Sequence, residues 1–156
     1  MAFPPNILVL IVHDLGTHLH CYGHNTIRTP NLDRLASEGV RFTNHFACAT
    51  FCSPSRGATF TGKCPHSNGL MGLVNLGWDL PEGNVTDAQH FGAGGFETFL
   101  FGLQHEVKDV TRLGFQNVPP CRSRQGRDVA AAVCEFLDSR EPDGNPFYAR
   151  VGFSDV

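Results

Sequence analysis

Charge is sparse and unclustered in this sequence. Charged residues make up 17% of it, and the 12 lysines and arginines are scattered among 15 acidic residues for a net charge of −3. No stretch forms the basic footprint that nucleic acid or an anionic membrane surface requires, so neither is expected as a partner. Long apolar runs are also missing. The longest aliphatic segment, Ile7 to Val12, is too short for a membrane span or a signal-peptide core, and Met1-Ala2-Phe3-Pro4-Pro5-Asn6 before it carries no basic residue. The expectation from these absences is a cytoplasmic product. Paired cysteines are lacking too. The six cysteines (Cys21, Cys48, Cys52, Cys64, Cys121 and Cys134) include no Cys-x-x-Cys, and a chain of this size needs no covalent staples, so all but Cys52 are expected reduced. His18, His20 and His24 repeat no metal-binding spacing and read as solvated loop histidines.

What remains is ordinary globular composition, 41% hydrophobic over 156 residues, enough for one domain with a core. Asn6 to Val12 is a continuous β-branched and leucine run, which predicts a strand buried on both faces of a parallel sheet, ending at His13-Asp14. Thr29 to Gly39 has a capping residue, apolar positions at 32, 35 and 36 and a terminal glycine, and predicts a short helix. Val40 to Phe46 alternates with period two and predicts a second strand. Pro65 to Gly69 predicts a turn. The glycine-punctuated chain from Leu70 to Asp79 holds the single tryptophan, Trp78, which either lines a pocket or packs. Asn84-Val85-Thr86 has the form of a glycosylation sequon and reads as the approach to a weak helix over 86–95. Phe96 to Phe101 and Phe147 to Phe153 predict two more strands. Between them, 127–137 predicts a helix with its apolar face at 129, 130, 133, 136 and 137. The fold class is α/β with a mainly parallel sheet flanked by helices.

The stretch around which this pattern turns is Thr50 to Lys63. Ser53 reads as an N-cap, Pro54 as the first helical residue and Gly62 as the stop, so Cys52 stands at a helix N-terminus. Backbone N–H groups and the positive end of the helix dipole converge there, and Arg56 adds a cation with bidentate donor geometry one turn on. The place suits a tetrahedral oxyanion. Asp14, just past the end of the first strand, lies where open parallel sheets bind ligands; taken alone it also reads as a carboxylate capping the turn before Gly16.

Cys52-Ser53-Pro54-Ser55-Arg56 followed by Thr61-Gly62 resembles the signature of the type I, formylglycine-dependent sulfatases of the alkaline phosphatase superfamily. It occurs with Asn6 to Asp14 upstream, Thr29-Pro30-Asn31-Leu32-Asp33-Arg34-Leu35, and Pro65-His66-Ser67-Asn68-Gly69 downstream, all in the family's order. The likeness runs from about Pro5 to Asp155 and is nearest in flavour to the heparan N-sulfatase-like members. It implies that residues 1–156 are the N-terminal portion of a sulfatase catalytic domain, truncated at the C-terminus, whose further ligands lie beyond this point.

The resemblance also implies roles. Cys52 would be oxidised by a formylglycine-generating enzyme, Asp14 and the converted Cys52 would hold a divalent cation, most simply Ca2+, Arg56 would fix the diol and an oxyanion, and His105 would contact the diol and the sulfate. Asp155, past the last strand, joins His105 as a substrate-binding candidate. The substrate would be a sulfated small molecule or sugar, cleaved as a sulfuric ester or N-sulfate. Two positions depart from the pattern. His13 stands where the family has a first carboxylate, either joining the metal set and favouring a softer ion or facing away. Leu103 stands where the family's Gly-Lys-x-His segment has its lysine, here Gly102-Leu103-Gln104-His105. A leucine cannot donate to a sulfate oxygen. The product is therefore expected to be incomplete or weakly active. A phosphomonoester or phosphonate hydrolase of the same superfamily, or a non-catalytic truncated product, are the alternatives, and a structural or redox cysteine is the plain reading of Cys52.

Overall fold

The computed structural model describes residues 4–141 and 144–155. It forms two compact units, one built from the chain up to His13 and from Cys48 onward, the other from Asp14 to Ala47. In the larger unit β1 (Ile7–Val12), β2 (Glu97–Gly102) and β3 (Phe147–Phe153) make one three-stranded parallel sheet in the order β1-β3-β2. The strand that comes last in the chain is thus central. Its residues Phe147 to Gly152 are all buried, as a strand covered on both faces of a parallel sheet must be.

One face of the sheet packs against α5 (Gly126–Asp138), where Val129, Val133 and the ring of Phe136 meet Phe99, Phe101, Phe147 and Val151. The expected apolar face of this helix is displaced by one position. Ala132 packs inward while Ala130 and Leu137 are exposed, because at about 100° per residue 132, 136, 129 and 133 follow one another around the helix as one stripe and 137 and 130 lie beyond its edge. The other face packs against α2 (Cys52–Thr61), followed by the one-turn α3 (Pro65–Asn68) where a turn was expected, and against α4 (Asp87–Ala93), through Phe60, Ala88, Leu100 and Tyr148. Three glycines made α4 look weak. Its start is nonetheless secured by a full capping box, with Gln89 N–H donating to Thr86 Oγ1 and Thr86 N–H to Gln89 Oε1. Inside this layer Arg150 lies 4.3 Å over the Phe60 ring and 3.3 Å from Asp87, which also accepts from Tyr148 Oη at 2.6 Å. Burial pushes the Asp87 carboxyl up, and Arg150 pulls it back.

Two strand expectations need correction. β1 is not buried on both faces: Ile7 and Val9 pack on the core, but Leu8 and Leu10 are 39% and 49% exposed. It is an edge of the sheet, and α5 covers only β2 and β3. An apolar run records what a strand can bury, not the width of the layer above it. Val40 to Phe46 forms no strand at all. Val40, Phe42 and Phe46 are all exposed, and among the described residues of the smaller unit there is no partner ladder to fix an extended segment. That unit instead holds the expected helix, α1 (Pro30–Glu38), closed by Gly39, and a 3-10 turn at His20–Tyr22. Among the described residues no helix is long and apolar enough to cross a membrane.

Candidate active site

Because all three strands are parallel, their carboxyl ends lie along one edge, and the chain leaves that edge three times. After β1 it continues into His13, whose N–H donates to Phe153 O at 3.1 Å, and then Asp14, held at φ 54, a left-handed turn that aspartate tolerates better than most residues. After β2, Gly102 at φ 71 turns the chain into the 103–107 loop, where Leu103 N–H donates to Gly152 O at 2.8 Å. A side chain on Gly152 would run into the Leu103 carbonyl, so the two glycines make this close crossing possible. After β3 come Ser154 and Asp155.

The helix that begins at Cys52 is anchored differently from expectation. Its N-cap is Phe51, extended at φ −100 and ψ 149, and no side chain caps the first turn. Cys52 is the first helical residue and Pro54 the third, where its missing N–H is still outside the ladder. Ser53, read from the sequence as the cap, is fully buried and accepts from the Val74 backbone N–H at 3.2 Å. A hydroxyl caps only from an extended residue just before the helix, and Ser53 is already inside it. The first turn therefore keeps its backbone donors for something other than a side chain of its own. Gly62 ends the helix at φ 66, as expected.

Cys52 Sγ lies 4.0 Å from His13 Nε2, so the helix start and the end of β1 meet. Arg56, one turn further on the same helix, is buried at 6% exposure. His105 belongs to the same neighbourhood. Burial, then the positive charges of Arg56 and His13, hold its imidazole below the usual histidine range, while Glu106 works in the opposite direction. His13 therefore faces the cysteine, and the reading that it turns away is set aside. Asp14 follows it directly in the chain and is exposed. Within the larger unit His13 and Cys52 offer an imidazole nitrogen and a sulfur to a cation; Asp14, a carboxylate, is the first residue of the smaller unit.

Asp155 is at the same edge of the sheet but is committed elsewhere. Its Oδ2 accepts from Gly126 N–H at 2.7 Å, capping α5, and that bond holds its carboxyl below the usual range. Lys108 sends its backbone N–H to Asp79, and Leu103 remains where the expected lysine would be. All six cysteines are free thiols.

Sequence reading missed the braces behind this site. Ser53 ties the first turn of α2 to Val74. Gln104 Oε1 accepts from Glu106 N–H at 3.0 Å and Val107 N–H at 3.2 Å, and its Nε2 donates to Val107 O at 2.9 Å. Glu106 is 2% exposed and accepts from His105 N–H at 2.6 Å. The signal available was a run of polar residues, 104–106, directly after an apolar strand.

The fold and the site together define a class: an α/β protein whose candidate nucleophile starts a helix beyond the carboxyl edge of a parallel sheet, with a buried arginine one turn on. The sulfatase family model matches residues 5–128, and the chain belongs to the sulfatase family. It is 46% identical over 114 residues to arylsulfatase D of Homo sapiens, covering 67% of this chain and 19% of that protein. It is 42% identical over 111 residues to the steryl-sulfatase of Mus musculus, covering 65% and 18%. The chain thus spans about a fifth of the length of these curated relatives. Among solved structures it matches, at a TM-score of 0.80 and 25% identity, a protein in complex with its substrate D-glucosamine-2-N,6-O-disulfate, covering 95% of this chain and 34% of the other. It matches the phosphonate monoester hydrolase of Agrobacterium radiobacter at a TM-score of 0.76 and 21% identity, over 97% and 41%, a likeness of fold alone. The expected sulfatase-like, alkaline phosphatase-like α/β fold is the one observed.

Proposed function

We propose that this chain carries the nucleophile half of a formylglycine-dependent sulfatase site, acting on the sulfuric ester or N-sulfate of a small molecule or sugar. The observation that carries the reading is the placement of Cys52 as the first, uncapped residue of α2, with His13 Nε2 4.0 Å away and Arg56 buried one turn on. Cys52 sits in the Cys-x-Pro-x-Arg setting that no other cysteine of the chain has, and a formylglycine-generating enzyme is its maturation partner.

Once converted and hydrated, residue 52 presents two hydroxyls. One loses its proton and attacks sulfur; the S–O or S–N bond to the leaving group breaks, and the leaving group takes a proton from the neighbourhood of His105. The second hydroxyl then gives its proton to His105, free again after protonating the leaving group; the C–O bond to the sulfate breaks, sulfate leaves with that electron pair, and the aldehyde re-forms, to be hydrated again by water. Arg56 and the first-turn N–H groups of α2 balance the charge on the sulfate oxygens. Burial and the Arg56 charge hold the His105 imidazole below the usual histidine range, which suits it to accept the first proton and return it to the leaving group.

The donors for a cation are one carboxylate (Asp14), one imidazole (His13) and the oxygens of the converted residue 52. An imidazole in place of a carboxylate lowers the negative charge these residues bring to a cation and would favour a softer divalent ion than an all-oxygen set does. When bound, such an ion polarises the sulfate and lowers the pKa of the diol.

Tryptic mass spectrometry after co-expression with a formylglycine-generating enzyme tests the first step, with the aldehyde expected at residue 52; unmodified Cys52 alone would end this reading. Hydrolysis of an aryl sulfate compared with an aryl phosphate and a phosphonate ester then tests the reaction class, with preference for the sulfate expected.

A further inference from the structure

Glu106 is a buried acid that the proposed mechanism does not use. It belongs to the loop that follows β2, is 2% exposed, and its Oε2 accepts the His105 backbone N–H at 2.6 Å. Its own backbone is held from two sides: Glu106 N–H donates to Gln104 Oε1 at 3.0 Å, and Glu106 O accepts from Leu80 N–H at 3.1 Å. The residue is therefore fixed before it fixes anything else. Burying a carboxylate is costly unless its charge is used, and a packing role alone needs no acid.

The groups facing the His105 imidazole are Arg56 from α2, His13 from the end of β1, and Glu106 from its own loop. Two of the three are cations or become so on protonation. Glu106 is the only negative one among them, and it stands in a segment where Leu103 occupies the place of a lysine.

We propose, resting on the sulfatase reading above, that Glu106 is a positioning residue for His105: its carboxylate clamps the His105 backbone N–H and sets a fixed negative charge against the imidazole, fixing how the ring is presented to residue 52. A short charge-assisted bond of this kind is stronger than a neutral one and more sensitive to geometry.

The test uses three variants of the whole chain. E106Q keeps an acceptor oxygen and the side-chain size but removes the charge, E106D keeps the charge but shortens the reach, and E106A removes both. The first readout is NMR on the unconverted protein and needs no activity. The His105 backbone amide proton is expected downfield in the wild type, moved upfield in E106Q and further in E106A, and the imidazole is expected to titrate at lower pH in E106Q than in the wild type. E106D is expected to restore the titration but not the amide shift. The second readout is kinetic, on the converted protein: E106A should lower kcat about tenfold with KM nearly unchanged, since orientation acts on the transition state and not on substrate binding. Wild-type amide and imidazole behaviour in folded E106Q overturns the clamp. Moved resonances with unchanged kcat overturn its part in the reaction. Unmodified Cys52 after co-expression with a formylglycine-generating enzyme overturns the sulfatase reading, while the NMR arm decides the clamp independently of it.

Discussion

At the scale of single residues, the site depends on a few side chains whose partners are now defined. Ser53 is fully buried and accepts the Val74 N–H, so Ser53→Ala leaves a buried donor unpaired behind the nucleophile. We expect it to cost about 1–3 kcal/mol of stability in urea unfolding, without changing the Cys52 position in the sequence motif read by a maturation enzyme. His105 gives a pH prediction with a definite sign. Its folded imidazole is held below the unfolded value, near ~6.5. Above that value both states are neutral and nothing is lost; as pH falls through it the unfolded chain takes up the proton first, and stability declines. Unfolding free energy measured from pH 8 to pH 5 should therefore fall on the acid side, and fall less in His105→Gln.

At the scale of elements, the sequence was legible wherever local chemistry decides. The end of α2 at Gly62, the strand from Phe147, and α1 from Pro30 to Gly39 stand where period and stop residues put them, whereas α2 begins at Cys52, two residues before the Pro54 that capping chemistry pointed to. Helix α4 was underrated because glycine content counts against a helix, whereas its capping box acts only through two hydrogen bonds made in the folded state. Thr86→Ala removes one of those bonds and also the hydrogen bond from Thr86 Oγ1 to Leu113 O at 2.7 Å. A loss of about 1–2 kcal/mol by thermal or denaturant unfolding is expected, above the usual exposed cap because this hydroxyl is buried. The Val40 to Phe46 segment shows the opposite case. Its alternation was good strand patterning, but a strand exists only against a neighbouring ladder.

At the scale of the larger unit, three parallel strands set the geometry of everything beyond their carboxyl edge. Gly152 faces the Leu103 carbonyl so closely that no side chain fits. Gly152→Ala should push the 103–107 loop off the sheet, destabilise the fold by several kcal/mol, and abolish the His105 neighbourhood together with it, seen as loss of the His105 amide protection in hydrogen exchange. The exposed flank of β1 makes a second, independent expectation. Leu8 and Leu10 form apolar surface beside a strand edge that no other described strand pairs. Replacing both by threonine should reduce self-association in light scattering while leaving the circular dichroism of the fold intact.

By itself the sequence determined the α/β class, the helix that starts at Cys52, the identity of the family through the Cys52-to-Arg56 pattern, and the order of the elements. Those are properties of neighbouring residues, carried by period, capping and turn chemistry. Only the tertiary structure decided that β3 is central and β1 an edge, that His13 faces Cys52, that Ser53 braces Val74 instead of capping its helix, that Asp155 caps α5, and that Glu106 is buried against His105. Each of these joins residues far apart in the chain or turns on which atoms are left exposed when layers of unequal width are stacked. Burial and long-range hydrogen bonds depend on what arrives from elsewhere, and no local pattern records it.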